Sequence, residues 1–335
     1  MREDVDVFVH AEQAAKLRAI IDFTETALWY SYADPLSISN LLHIPSMRVA
    51  LVTASNDAYF DSLVLLLKSL RGFERFGTTD IHVLDVGLND AQTRALQAEG
   101  HAIVRPGWDV DVSPWKGVPD WFKAMTARPF LPNYIKNADV IVWIDADIWV
   151  QDQAMLYDYV RAAQGGEFAV CLELERSYDN LFMRNASKEV YHDNLTKYYG
   201  AETAARLIHF PMMNCGAFAM QPAHPLWALW QTTIKGAVKK HCSNFLEQTA
   251  LNMSVYSNNI QPHFLPARYN WMTCHALPLL DEASGFFVEP HLPHDKLGLV
   301  HLACGLWKRD DIEFRSTTGK LIKGPLRPKA YFVTI

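Results

Sequence analysis

Two carboxylates one residue apart, Asp145 and Asp147, follow the apolar run of residues 139–144 (DVIVWI). A short run of that composition reads as a central strand buried on both faces. Its end then lies at the carboxyl edge of a parallel sheet, where open α/β sheets place their ligands. Across the single turn residue Ala146, both side chains reach one hard cation, or one binds it while the other holds a hydroxyl. Mg2+ or Mn2+ accepts such oxygens and keeps coordination positions for phosphate. Paired carboxylates at a buried edge repel unless a cation neutralises them. The plainer alternative is a strand cap followed by a turn.

The elements around this pair must form a sheet. Residues 48–53 (RVALVT) read as a strand, and Leu63, Leu66, Leu67 and Leu70 repeat at helical spacing behind it. Residues 80–86 (DIHVLDV) read as a second strand and residues 92–100 as a second helix closed by Gly100. Strand, helix, strand, helix implies parallel pairing and a doubly wound sheet. Residues 106–132, rich in Pro, Trp and Gly, read as loop with a short helix at 121–127. Further strands are expected at 168–172 and 216–220, with a polar, helix-forming insertion over the site at 173–210. Asn244 and Glu247 have capping-box spacing at the start of another helix. The boundaries are a helical N-terminal extension over 1–45, one domain over 46–308 (halves 46–150 and 151–308), and a basic C-terminal tail over 309–335.

Composition narrows the classes. Among 335 residues, 50% are hydrophobic and 20% charged, which excludes a disordered chain, a collagen and a small disulfide scaffold. No apolar run is long enough for a transmembrane helix. The charged first twenty residues lack the pattern of a secretory leader, and five cysteines without a CxxC pair suggest a reducing, cytoplasmic setting. A net charge of −6 argues against nucleic-acid binding. From Lys308 onward seven basic side chains face three acidic ones, so weak peripheral contact with an anionic inner membrane face is an expectation beside that of a solvated surface.

Five segments, in this order, resemble a GT-A glycosyltransferase, most of all the retaining family 8 group that includes glycogenin and bacterial lipooligosaccharide galactosyltransferases. They are VALVTASNDAYF (49–60), IHVLDVGLND (81–90), KAMTARPFLPNYIKNADVIVWIDADIWV (123–150), MNCGAFAM (213–220) with FLEQTALN (245–252), and HLACGLWK (301–308). The resemblance implies an α/β, Rossmann-like nucleotide-sugar-binding domain with a mixed, mostly parallel sheet. It implies a metal-dependent hexosyltransferase of glycan biosynthesis that uses a UDP-sugar donor, a Mn2+ or Mg2+ cofactor and a carbohydrate or glycoconjugate acceptor.

Residue by residue, the resemblance assigns uracil and ribose contacts to Thr53, Ala54, Asn56, Asp57 and Tyr59. Asn56 stands where the galactosyltransferases usually carry Asp, and Ala58 where they carry Asn. Arg128 matches a basic residue facing the donor, able to orient Asp145 or contact the sugar. Asp145, Asp147 and His301 are the implied metal ligands, with Ala146 beside the donor. Asn214 and Gly216 match an Asn-x-Gly that approaches the sugar. Glu247 and Gln248 replace the family's Asp-Gln as catalytic residues, the Gln lying under the anomeric carbon and stabilising an oxocarbenium-like state. Gly305 and Lys308 match His-x-x-Gly-x-x-Lys, with one residue more between His301 and the glycine, and Lys308 would neutralise the leaving diphosphate.

Retention follows from the resemblance and not from spacing. Glu247, Glu173 or Glu175 would serve as base in an inverting reaction. An aspartyl phosphatase would need D-x-D-x-Thr/Val near the N-terminus, and a non-catalytic nucleotide-sugar-binding protein would lack the intact site. The acceptor is expected against residues 106–122, 173–210 and 262–295, where Trp108, Trp115, Trp121, Tyr178, Tyr269 and Trp271 offer stacking surfaces.

Overall fold

A computed structural model describes residues 47–71, 78–178 and 181–327. The extension expected over 1–45 and the end of the basic segment, 328–335, lie outside the described residues. Strand β1 (Arg48–Ser55) leads through a 3-10 turn (Asp57–Tyr59) into α1 (Phe60–Ser69). Then follow β2 (Thr78–Asp85), α2 (Asp90–Ala98) and β3 (Ala102–Val104). After the loop come α3 (Lys123–Ala127), α4 (Leu131–Tyr134), β4 (Val140–Ile144), β5 (Ile148–Val150), α5 (Ala154–Gln164) and β6 (Phe168–Leu172). The second half holds α6 (Leu181–Tyr199), α7 (Ala201–Leu207), β7 (Met213–Met220), α8 (Leu226–Ala237), α9 (Leu246–Tyr256) and β8 (Pro262–Leu265). Short strands close the chain: β9 (Trp271–Met272), β10 (Leu279–Leu280), β11 (Phe287–Val288), β12 (Leu299–His301), β13 (Ile312–Ser316) and β14 (Leu321–Gly324).

The central sheet has seven strands in the order β3-β2-β1-β4-β7-β6-β8. β7 runs antiparallel to both β4 and β6, while the other neighbours pair in parallel. This is the mixed, mostly parallel α/β sheet that the resemblance implies, whereas the strand–helix alternation alone predicts parallel pairing. Strand order reverses at β1, which sends the chain outward to β2 and β3 and then back to β4. Such a switch point opens a crevice at the carboxyl edge.

Side-chain alternation explains why β4 is apolar throughout. Ile141 and Trp143 join the core under α8 and α9, with Trp227, Trp230, Leu246 and Leu251. Val140, Val142 and Ile144 join the opposite core, with Leu66 of α1 and Leu156, Tyr159 and Val160 of α5. A strand covered on both faces has no polar side. The stripe on α1 behaves as its spacing implies, burying Leu63, Leu66 and Leu67; full burial of each leucine contributes about 1.5–3 kcal/mol. Helix α2 carries a full capping box, with Asn89 Oδ1 accepting from the Gln92 amide at 3.0 Å and Gln92 Oε1 accepting from the Asn89 amide at 3.0 Å. It ends at Gly100, whose φ of +88° lets the His101 amide reach back to the Leu96 carbonyl at 3.1 Å.

Two small sheets stand beside the main one, β5-β12-β9 and β11-β10-β13-β14. The basic C-terminal segment enters the second as a hairpin whose β13 alternates buried Ile312 and Phe314 with exposed Glu313 and Arg315. The capping box expected from Asn244 and Glu247 does not form. Helix α9 begins at Leu246 without a side-chain cap, and the Glu247 carboxylate turns to Arg128 instead.

Candidate active site

The turn after β4 is clamped on both sides. The Asp145 amide donates to Gly216 O of β7 at 2.8 Å, and Ile148 N returns to Asp145 O at 3.0 Å. On the other flank β5 pairs antiparallel with β12 so that Ile148 faces His301, and Leu302 N donates to Asp147 O at 2.9 Å. Backbone pairing alone therefore carries a histidine from the far end of the chain to the two aspartates.

His301 Nε2 lies 3.4 Å from Asp147 Oδ1 and 4.0 Å from Asp145 Oδ2. One ligand atom from each of the three residues falls within 4.8 Å of the others. The ring is 4% exposed and its Nδ1 meets Asn270 Oδ1 at 3.0 Å. Asn270 in turn donates through Nδ2 to Asn214 Oδ1 at 2.8 Å, which identifies its Oδ1 as the acceptor facing His301. Nδ1 then carries the proton and the Nε2 lone pair faces the aspartates, the tautomer a metal ligand needs. Gly216 is the floor of this seat. A Cβ there would fall 2.5 Å from His301 Cε1 and 2.8 Å from Asn214 Oδ1, so only glycine leaves room for the ring.

Asp145 divides its oxygens. Oδ1 accepts from Arg128 Nη2 and from Trp143 Nε1, the latter at 2.9 Å, while Oδ2 faces His301. Arg128 is 8% exposed, donates through Nη1 to Glu247 Oε1 at 2.7 Å, and stacks its guanidinium 4.6 Å from the Trp143 ring centre. Glu247 is 1% exposed. A buried cation is thus shared by the buried Glu247 carboxylate and the half-buried Asp145 carboxylate, a planar fork fitting two acceptors. Burial pushes the Asp145 carboxyl up to about 6, against the pull of Arg128 and with the push of Asp147. For His301 burial favours the neutral ring, yet Asp147 and Asp145 together outweigh it and raise its pKa.

A second cluster lies across Asn214. Glu173 Oε1 accepts from Asn214 Nδ2 at 2.8 Å and from Gln248 Nε2 at 3.1 Å, and its Oε2 lies 3.3 Å from His275 Nε2. Gln248 Oε1 accepts from Cys215 N at 3.2 Å, which fixes the orientation of that amide. Arg128, Asp145, Asp147, Asn214, Gly216, Glu247, Gln248 and His301 thus form one continuous contact network, which Asn270, Trp143 and His275 join without being among the residues the sequence predicts for the site. Trp143 carried a signal, being two residues before Asp145 and so on the same strand face. Asn270 and His275 carried none.

The remaining candidates line the outer part of the edge. Thr53 is buried with no partner for its hydroxyl among the described residues, and Ala54 packs against the core beside it. Asn56 caps the 3-10 turn, its Oδ1 accepting from Tyr59 N at 3.1 Å. The Asp57 carboxylate accepts from Asn89 at 3.1 Å and Gln92 at 2.7 Å, and Tyr59 is 36% exposed. Ala146 is buried against Leu63, Leu67 and Val83. Gly305, at φ +80°, opens the turn Leu306–Lys308, with the Lys308 side chain exposed. Of the six aromatic residues expected near an acceptor, Trp271 and Tyr178 are buried, and Trp115 donates to Val238 O at 2.7 Å. Tyr269 donates to Asp158 at 2.6 Å, whereas Trp108 and Trp121 stay exposed.

No protein-family model and no curated protein matches the chain. Among solved structures it is similar to the galactosyltransferase LgtC in complex with donor and acceptor sugar analogs, at 16% identity and a TM-score of 0.48 over 75% of this chain and 86% of that one. It is also similar to mouse xyloside xylosyltransferase 1, at 14% identity and a TM-score of 0.46 over 78% and 99%. A third similarity is to the bifunctional glycosyltransferase WbbM, at 18% identity and a TM-score of 0.45 over 68% and 40%. The geometry of the site, rather than these likenesses, carries the functional conclusion. No helix among the described residues is long and apolar enough to cross a membrane.

Proposed function

We propose that this protein is a divalent-cation-dependent glycosyltransferase that moves a hexose from a UDP-sugar to an acceptor hydroxyl with retention of anomeric configuration. The observation that carries the reading is the convergence of Asp145, Asp147 and His301 at the switch point of the sheet. The donor set fits a Mn2+ or Mg2+ ion: two carboxylates, and an imidazole whose outer nitrogen is held by Asn270. Asp145 Oδ2, Asp147 Oδ1 and His301 Nε2 would hold it. When bound, such an ion supplies Lewis-acid stabilisation to a departing diphosphate.

The chain's own residues do the rest. Arg128 holds Asp145 by one oxygen and leaves the other facing the ligand cluster. Glu247, whose Oε1 accepts from Arg128, acts on the site through that guanidinium. The unpartnered Thr53 hydroxyl, Asn56 and Tyr59 are assigned to the nucleoside, and Lys308 to the diphosphate. Gln248 is assigned to the developing oxocarbenium charge, its carboxamide oriented by Cys215 and Glu173. Asn214 and Glu173 are assigned to hydroxyls of the transferred sugar or acceptor. The exposed Arg315, Lys320 and Lys323 of the C-terminal hairpin give a cytoplasmic protein a surface for weak contact with anionic lipid.

The test combines purified protein, Mn2+ and a panel of nucleotide sugars, with nucleotide diphosphate release measured with and without EDTA. EDTA-sensitive release from one UDP-sugar supports the reading and names the donor. Silence with every donor, in the presence of mixed glycan acceptors, overturns it. The anomeric proton coupling of the product separates retention from an inverting reaction with Glu173 as base.

A further inference from the structure

We infer that Glu175, Glu289 and His291 form a second divalent-cation site, for a zinc-class ion, separate from the one at Asp145. Glu175 comes from the loop after β6 and Glu289 and His291 from the loop after β11, and one ligand atom from each lies within 4.8 Å of the others. His291 Nε2 stands 2.7 Å from Glu175 Oε1 and 3.5 Å from Glu289 Oε2. Three donors around a tetrahedral ion at about 2.0–2.1 Å stand about 3.3 Å apart, a spacing that those two distances bracket.

The independent observation is the state of Glu289. Its side chain is 7% exposed and no hydrogen bond from a described residue reaches its carboxylate. The imidazole has one Nε2 proton at most, and Glu175 stands closer to it. Glu175 is further served by the Ser177 amide and by Arg176 at 3.7 Å. Arg268, the other nearby cation, is paired with Asp295 at 3.0 Å. A carboxylate this buried is costly without a donor or a cation. His291 Nδ1 faces Leu292 O at 3.3 Å, so a proton on Nδ1 finds an acceptor while Nε2 stays free for a metal. Two carboxylates and one imidazole suit Zn2+ with a fourth position open. The ion would staple the loop after β6 to the loop after β11. Glu175 lies two residues beyond Glu173, so this staple would stiffen the wall that holds Gln248.

The full chain, stripped of metal with a chelator, is titrated with Zn2+ alone by isothermal calorimetry. Wild type takes up two equivalents, Asp147→Asn keeps one, and His291→Ala and Glu289→Gln each lose one or weaken it at least tenfold. Adding Asp147→Asn to either removes both. One equivalent in wild type that Asp147→Asn removes, or a second that survives both His291→Ala and Glu289→Gln, overturns the site; one equivalent that His291→Ala removes supports it and counts against the site at Asp145 instead. Glu289→Gln preserves shape and carries the test if His291→Ala does not fold.

Discussion

Among the described residues two clusters share one make-up, two carboxylates and a histidine each, and they are built in different ways. At Asp145 and Asp147 the acids leave one tight turn of a core strand, and pairing of β5 with β12 delivers His301. At Glu175, Glu289 and His291 the residues sit on two loops, one after β6 and one after β11, that are joined at this cluster by side-chain contacts. In the first, Arg128 takes up one oxygen of Asp145 and its charge is shared with Glu247. In the second, the Glu289 carboxylate has His291 Nε2 at 3.5 Å as its nearest cationic partner among the described residues. A cluster anchored by backbone has its geometry set by the sheet before any ligand arrives; a cluster anchored by side chains depends on its ion for shape.

Breaking the first cluster gives the largest effects. Asp147→Asn is expected to take donor turnover below detection with an unchanged circular dichroism spectrum; near-normal transfer would remove the aspartate pair from the chemistry. Arg128→Met strands the buried Glu247 carboxylate beside the half-buried Asp145, and urea unfolding should record a loss of about 3–5 kcal/mol. A loss under about 1 kcal/mol would mean that Arg128 does not compensate Asp145 and Glu247. Asn270→Ala removes the partner that sets the His301 tautomer, so Mn2+ affinity measured by calorimetry should fall about 10–100-fold. Gly216→Ala should act in the same direction by displacing the ring.

The smallest effect is a pH dependence. Asp145 titrates near 6 in the fold against 3.8 in an ordinary carboxyl, and the His301 pKa is raised above 6.5. Both groups bind more protons folded than unfolded, Asp145 between about 4 and 6 and His301 above 6.5. Metal-free protein therefore loses stability as pH rises through these windows. Mn2+ binds the deprotonated ligands and should cancel the fall. Thermal midpoints of metal-free wild type and Asp145→Asn that run parallel across this range would contradict the raised carboxyl.

Legibility in the sequence follows the same division. The strand before Asp145 declared itself because a both-sides-buried strand has no polar alternation to hide it. The leucine stripe of α1 and the glycine ending α2 were readable because each is a local rule. Glu247 misled, since capping-box spacing is local whereas its carboxylate is claimed by Arg128, 119 residues away. Asn270 and the second cluster were invisible because no short pattern precedes a long-range side-chain contact. The mixed direction of the sheet was foreseen only through the family resemblance.

His301 reaches its seat by pairing a late strand against an early one, and this orders events during synthesis. A ribosome releases the two aspartates roughly 150 residues before the histidine. A nascent chain can lay down β1 to β4 and still lack its third ligand. Competence for the proposed chemistry would then appear abruptly, when β12 slots between β5 and β9, and a chain cut short before residue 299 would be a folded sheet without a working centre.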